Sequence, residues 1–279
     1  MLYILYFFAT IPIVNSNLIK KSKLNNLFHH WIAGQLVTSD WLNHHGIYHQ
    51  LSDVYVKHGW IERLTSGIFK RPNDTITWQS ALYTLQTLKQ LPVHVGGLSA
   101  IELRGHSHFI RNQTSIRLYG DVFRLPLWCY QLSFNNTKFI YTKSSPWKSG
   151  FSEAISEYSK DSFKIRVSSL ERAIMEFLHG VPQHHTYEEA AYLTEGLNLL
   201  RPQVVQTLME QCTSVKVKRL FLHLATACQH AWLSKINRSR IDLGKGIRQI
   251  EANGYLDTQH SICVATEPFK DYYVKQDFL

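Results

Sequence analysis

Between Thr38 and Arg71 the chain reads TSDWLNHHGIYHQLSDVYVKHGWIERLTSGIFKR, and the period of its apolar positions changes from helical to alternating. Thr38 or Ser39 can cap a first helix, because a hydroxyl accepts from the free N–H groups of its first turn. That helix carries Trp41 and Leu42 and ends at Gly46. Ile47 and Tyr48 form a short connection. A second helix runs from about His49 to His58, with Leu51 and Tyr55 spaced i, i+4 toward a core. Gly59 suits the left-handed position that closes a helix. Trp60 to Leu64 then alternates as a strand does, Thr65, Ser66 and Gly67 turn, and Ile68 to Arg71 returns. Upstream, Lys23 to Ala33 places Leu24, Leu27, Phe28 and Trp31 at helical spacing. Helices followed by a tight basic hairpin make the order of a winged helix-turn-helix, expected over residues 20–72.

Pro72-Asn73-Asp74 is a breaker cluster and reads as a linker into a second domain over 75–267, with a tail at 268–279. Thr77 to Leu91 predicts an amphipathic helix with Trp78, Leu82, Leu85 and Leu88 inward. Val93 to Val95 predicts a strand and Leu98 to Leu103 a helix. Strands are expected at Ser115–Tyr119, Trp128–Phe134, Phe139–Tyr141 and Phe163–Val167. Helices are expected at Ser169–His179, Tyr187–Gly196, Pro202–Cys212 and Val215–Gln229, with Pro202 at a first turn that needs no N–H from it. Two last strands fall near Arg248–Glu251 and Ser261–Ala265. The fold class is therefore α+β: a small winged helix-turn-helix followed by a larger mixed α/β domain.

The first residues break this pattern. LYILYFFATIPIV is nearly all apolar, too short to span a bilayer and interrupted by Pro12. No Lys or Arg precedes it, so it lacks the charged start of a signal peptide. We read residues 1–18 as a leader lying upstream of the true start, which is expected near Val14 or Leu18.

Composition narrows the function. With 44% hydrophobic and 18% charged residues, a chain of 279 residues can build large cores. The formal charge of +9 favours a polyanionic partner. Residues 20–73 hold seven lysines and arginines against three carboxylates, so the candidate reader is locally basic. Cys129, Cys212, Cys228 and Cys263 are scattered without a CxxC pair, which predicts no zinc site, no disulfide framework and a reducing, cytoplasmic setting. No cofactor is expected.

The geometry of a winged helix suits duplex DNA, because the major groove admits one helix and a hairpin beside it reaches the backbone. With Leu51 and Tyr55 inward, His49, Gln50, Ser52, Asp53 and Lys57 are expected outward. Gln50 can pair bidentately with adenine, Ser52 with several bases, and Asp53 with cytosine at the cost of repelling phosphate. Arg63, Thr65, Ser66, Lys70 and Arg71 are expected to hold phosphates from the hairpin. The alternative is a small helical domain with a merely solvated polar face. In the larger domain, Arg172, Arg201, Lys216, Lys218, Arg219, Lys245 and Arg248 form a candidate basic surface for DNA backbone or RNA. The plainer alternative is that such residues bridge neighbouring elements.

Enzyme signatures are weak. Gly244-Lys245-Gly246 is not a phosphate-binding P-loop, and neither HExxH nor GxSxG occurs. Asp242 and Asp121 lack the near carboxylate that a metal-dependent nucleotidyltransferase would need.

Seven segments carry a family resemblance: HGWIERLTSGIFKR, VHVGGLSAIELRGHSHF, LPLW at 125–128, SSLERAIMEFL, EGLNLLRPQVVQTLMEQC, VKVKRLFL and IDLGKGIR. In this order they resemble the AbiEi-type antitoxins, the regulator partners in type IV toxin–antitoxin systems, over about Leu24 to Thr266. The resemblance implies an N-terminal winged helix-turn-helix, a larger antitoxin domain, and autorepression at promoter repeats; inverted half-sites there would favour two copies, a dimer on DNA. It also implies a nucleotidyltransferase-like toxin that is countered without a stable complex. A stand-alone winged-helix regulator and a nucleic-acid-modifying enzyme remain the other readings.

Overall fold

The computed structural model describes residues 16–106, 115–134, 136–143, 145–160 and 162–269, with side chains from Lys23 onward apart from Lys160. Nearly all of the apolar leader, and most of the expected tail, lie outside these residues. The chain divides into two units, Met1–Ile76 and Thr77–Leu279. Among the described residues no helix is long and apolar enough to cross a membrane.

The first unit contains α1 (Ser16–His30), β1 (Val37–Thr38), α2 (Ser39–His44), α3 (His49–Lys57), β2 (Glu62–Thr65) and β3 (Ile68–Lys70). Thr38 caps α2, its hydroxyl accepting from the Trp41 N–H at 3.2 Å. Gly46, at φ +76°, lets the chain turn sharply before Ile47 enters the core. Leu27, Trp31, Leu42, Tyr55, Ile61 and Phe69 are buried as well. β3 pairs antiparallel with both β1 and β2, giving a three-stranded sheet in the order β1-β3-β2. The pairing of β1 was not expected from Val37 and Thr38, since two residues carry no periodicity. The register of β2 on β3 shifts between Arg63 and Thr65. Three helices and a hairpin in this order are the elements of a winged helix-turn-helix.

The second unit centres on a five-stranded sheet in the order β6-β5-β4-β8-β7: β4 (Val93–Val95), β5 (Ser115–Gly120), β6 (Lys138–Thr142), β7 (Ile155–Lys160) and β8 (Phe163–Ser168). It is mixed. β5 runs parallel to β6 and β4 parallel to β8, while β4 with β5 and β7 with β8 are antiparallel. The helix expected over 77–91 is shorter: α4 (Trp78–Tyr83) passes into a π-helical turn at Thr84–Leu88. The Thr84 hydroxyl donates to the Ser80 carbonyl, and the Gln86 side chain bonds the Val93 carbonyl and the Arg166 N–H. Back-bonding and this tie to the sheet both loosen regular helix. α5 (Gly97–Leu103) follows.

The strand expected at Trp128–Phe134 is instead α6 (Trp128–Gln131). Leu125, Trp128 and Cys129 are buried while Tyr130 is exposed, so the buried positions follow helical spacing and not alternation. α7 (Leu170–His179), α8 (Tyr187–Glu195), α9 (Pro202–Gln211) and α10 (Val215–Ala227) form the helical half, with Thr186 and Glu189 making a reciprocal cap on α8. A small sheet of β9 (Arg248–Gln249), β10 (Tyr255–Asp257) and β11 (Ile262–Val264), in the order β10-β11-β9, follows them in the chain.

Candidate nucleic-acid interface

Along α3, His49, Gln50, Asp53 and Lys57 are exposed, as the spacing predicted. Ser52 is not: it is buried, and its hydroxyl donates to the His49 carbonyl at 2.8 Å. Ser52 lies three residues before the fully buried Tyr55 and therefore shares its face, while Leu51 sits at the rim. Ser52 is thus a packing residue on the inner face of α3. Sequence reading also passed over Tyr48, which stands exposed at the N-cap of α3. Its place directly before the second helix was the available signal.

The wing cations are already engaged. The Arg63 guanidinium donates to Asp53 at 2.5 Å and lies 5.1 Å from the Phe69 ring centre. Asp53 also meets His49 at 3.1 Å. The Arg63 hydrogen bond holds the Asp53 carboxyl below its ordinary pKa. Lys70 reaches Glu62 at 2.8 Å and the Asp74 carbonyl at 3.1 Å, and this hydrogen bond lowers the Glu62 pKa. Arg71 donates to the Trp31 carbonyl, approaches Asp74 at 3.8 Å and lies over Phe28. Thr65 is half-buried and Ser66, at the tip, is exposed. The Asp53–Arg63 pair thus joins the exposed face of α3 to the hairpin.

The basic residues named in the second domain do not form one surface. Arg172 is buried; it donates to Glu176 at 2.8 Å and to the Phe151 and Glu153 carbonyls, and stacks over Trp147. Arg219 is buried and donates to the carbonyls of Leu243, Gly244, Gly246 and Ser261. It thereby organises the GKG turn it was expected to join as a ligand-binding cation. Lys218 is buried as well. Lys216 donates to the carbonyls of His179 and Val181, and burial lowers its pKa. Arg201 makes a two-pronged pair with Glu171 at 2.9 and 3.0 Å. Burial opposes ionisation of Glu171, yet the hydrogen bonds from Arg201 and Ser169 win and hold its pKa at about 2. Lys245 is exposed and Arg248 half-buried, with Arg248 turned onto the carbonyls of Lys245 and Ile247. Arg172, Lys216 and Arg219 are thus engaged by carbonyls of the fold, since long cationic side chains can satisfy carbonyls that a turn leaves unpaired, and Lys218 is buried beside them in the sequence.

Two buried networks escaped sequence reading. Glu176 accepts from His94 at 2.9 Å, Arg172 at 2.8 Å, the Gly97 N–H at 3.0 Å and the Ser168 hydroxyl at 2.9 Å. It ties β4, β8, α5 and α7 together. In the second network, Asp257 Oδ2 accepts from Nδ1 of His223 and of His260, both at 2.6 Å, and the Tyr187 hydroxyl meets His223 Nε2 at 2.7 Å. His223, Asp257 and His260 are the one group of three His, Cys, Asp or Glu among the described residues whose ligand atoms lie within 4.8 Å of each other. Their nitrogen and oxygen atoms are engaged with one another, so the arrangement clamps β10 onto α10. Nothing in the local sequence links His223 to Asp257, which are 34 residues apart.

Comparison with known proteins bears on this geometry. Residues 20–112 match the family described as "Transcriptional regulator, AbiEi antitoxin N-terminal domain". Residues 113–265 match "Transcriptional regulator, AbiEi antitoxin, Type IV TA system". A search of curated proteins finds no match. Among solved structures, the RV2827C protein from Mycobacterium tuberculosis is similar in fold, with a TM-score of 0.56 at 11% identity over 92% of this chain and 95% of that one. The two family matches together run from the winged unit through the last small sheet, and the chain belongs to the AbiEi antitoxin family of transcriptional regulators of type IV toxin–antitoxin systems.

Proposed function

We propose that this antitoxin binds the promoter of its own operon through α3 and the β2–β3 wing and represses it. The observation that carries the reading is the set of exposed Gln50 and Lys57 on α3 with Asp53 joined to Arg63 on the wing. Gln50 offers a bidentate donor–acceptor pair suited to adenine, while Lys57, Arg63 and Lys70 supply phosphate contacts. The second domain counters a nucleotidyltransferase-like toxin encoded beside it, without a stable complex. Its basic residues support that domain's architecture, and repression is assigned to the first unit.

The test is a gel-shift titration on the protein's own upstream DNA at two salt concentrations, with scrambled duplex as competitor. Specific, salt-sensitive binding is expected. Arg63→Ala and Lys70→Ala should each weaken binding to every sequence and reduce the salt slope by about 1. Gln50→Ala should change base preference by about 1–3 kcal/mol at one position. Equal binding to the promoter and scrambled duplexes would overturn the operator reading. Co-expression with the neighbouring toxin gene tests the antitoxin half separately, growth rescue being the expected result.

A further inference from the structure

Four of the ten large apolar side chains exposed among the described residues fall in one stretch of the second unit: Phe123, Leu127, Tyr130 and Ile140. Phe123 is 83% exposed and Tyr130 54%. The stretch is held in place and is not a loose loop. The Tyr141 hydroxyl lies 2.8 Å from the carbonyls of both Gly120 and Val122, pinning the chain before Phe123 to β6. α6, which carries Tyr130, packs against β6. Lys143, just past β6, sets its ammonium 5.6 Å from the Phe123 ring centre. β6 itself is an edge strand of the five-stranded sheet.

The same stretch is cationic. Residues 115–148 contain Arg117, Arg124, Lys138, Lys143 and Lys148 against a single carboxylate, Asp121. That carboxylate is occupied by the Gly150 N–H at 2.8 Å. Flat aromatic faces interleaved with lysine and arginine, with little negative charge, suit a polyanion that also presents flat apolar groups. A single-stranded polynucleotide has both: phosphates for the cations and unstacked bases for the rings. A duplex keeps its bases inside and cannot stack on Phe123. An apolar protein partner would gain from Leu127 and Tyr130 but would leave the cations without a partner.

We propose that the β6 edge and the loop that follows it, through Phe123, Tyr130, Lys143 and Lys148, bind single-stranded nucleic acid. The site is distinct in residues and ligand from the duplex reader of the first unit, so this antitoxin carries two nucleic-acid surfaces.

The experiment is fluorescence anisotropy of the full chain with two labelled probes, a 12-nucleotide oligo-uridine RNA and a 12-nucleotide oligo-thymidine DNA, at two salt concentrations. Binding of at least one probe is expected. Phe123→Ala should weaken it roughly fivefold or more, and adding Tyr130→Ala should weaken it further. Lys143→Ala with Lys148→Ala should flatten the salt slope by about 1.4, the value for two phosphates on a single strand. All four side chains lie on the surface, so the variants should melt as the parent does, which a thermal scan checks. Arg63→Ala with Lys70→Ala should leave probe binding unchanged, and this separates the site from the operator reading. A preference between the probes identifies RNA or DNA as the ligand. Binding of neither probe, parental affinity in the Phe123→Ala/Tyr130→Ala variant, or equal displacement by unlabelled duplex would overturn the proposal and leave the patch to a protein partner.

Discussion

Asp53 holds a carboxylate on the face of α3 assigned to DNA, where it neutralises Arg63 and pairs with His49. Asp53→Asn removes a charge that repels phosphate and releases the Arg63 guanidinium. Affinity for duplex DNA should therefore rise a few-fold at low salt; an unchanged value would move the Asp53–Arg63 pair off the interface. The Glu171–Arg201 pair behaves differently, because Glu171 is buried while Arg201 is largely exposed. A Glu171 pKa held at about 2 means that its ionised form stabilises the fold at neutral pH. Glu171→Gln should cost roughly 2 kcal/mol at pH 7, read by urea unfolding, and that difference should shrink as pH falls through the carboxylate range. Spacing placed Gln50, Asp53 and Lys57 correctly on the outside of α3 but misplaced Ser52, since polarity alone does not say which small hydroxyl packs against a core.

At the scale of elements, the β4–α5 junction is a close approach that leaves no room for a side chain. A Cβ on Gly96 would lie 2.1 Å from Glu176 Oε2 and 2.6 Å from the Tyr119 ring. Neither neighbour can yield, because Glu176 is fixed by four hydrogen bonds and Tyr119 is buried. Gly96→Ala should cost roughly 3 kcal/mol or more through overpacking and disruption of the buried charge network; a melting temperature equal to the parent's would refute the close approach. The same logic applies to α10. Arg219 gathers four carbonyls of the 243–261 segment, so Arg219→Lys, which keeps charge but loses the planar fork, should expose that segment to limited proteolysis. α7 to α10 were legible in the sequence because each carries apolar residues at helical spacing and has its own cap or terminal proline, although α7 and α10 prove to be buried on nearly every side. α6 was not, since a single helical turn of Trp, Cys, Tyr and Gln gives alternation and helical spacing almost the same appearance.

Over the whole molecule, the buried carboxylates and histidines with shifted pKa values among the described residues, Glu171, Glu176, His179, His223 and Asp257, lie in the second unit. Burial lowers the pKa of His223 and of His179, so their unfolded forms take up protons first and stability falls as pH drops below about 6.5. Glu171, Glu176 and Asp257 are all depressed by partners that outweigh burial, and their contribution is lost as pH falls from the ordinary carboxylate value toward the lower folded values. Both effects have the same sign. The stability of the second unit should therefore decline over two pH ranges, first that of the histidines and then that of the carboxylates, with Trp147 and Trp232 fluorescence as the probe of urea unfolding; stability that held level from pH 7 to 4 would contradict the buried networks. The sequence by itself determined the two-part organisation, the α+β class, the helix–helix–hairpin order of the first unit and the family, because periodicity, capping residues and local motifs act over a few neighbours. Only the tertiary structure decided which charged residues are surface and which are struts. Arg172, Arg219, Glu176 and the His223–Asp257–His260 clamp take their roles from partners far away in the chain, and a buried hydrogen bond leaves no periodic trace in sequence.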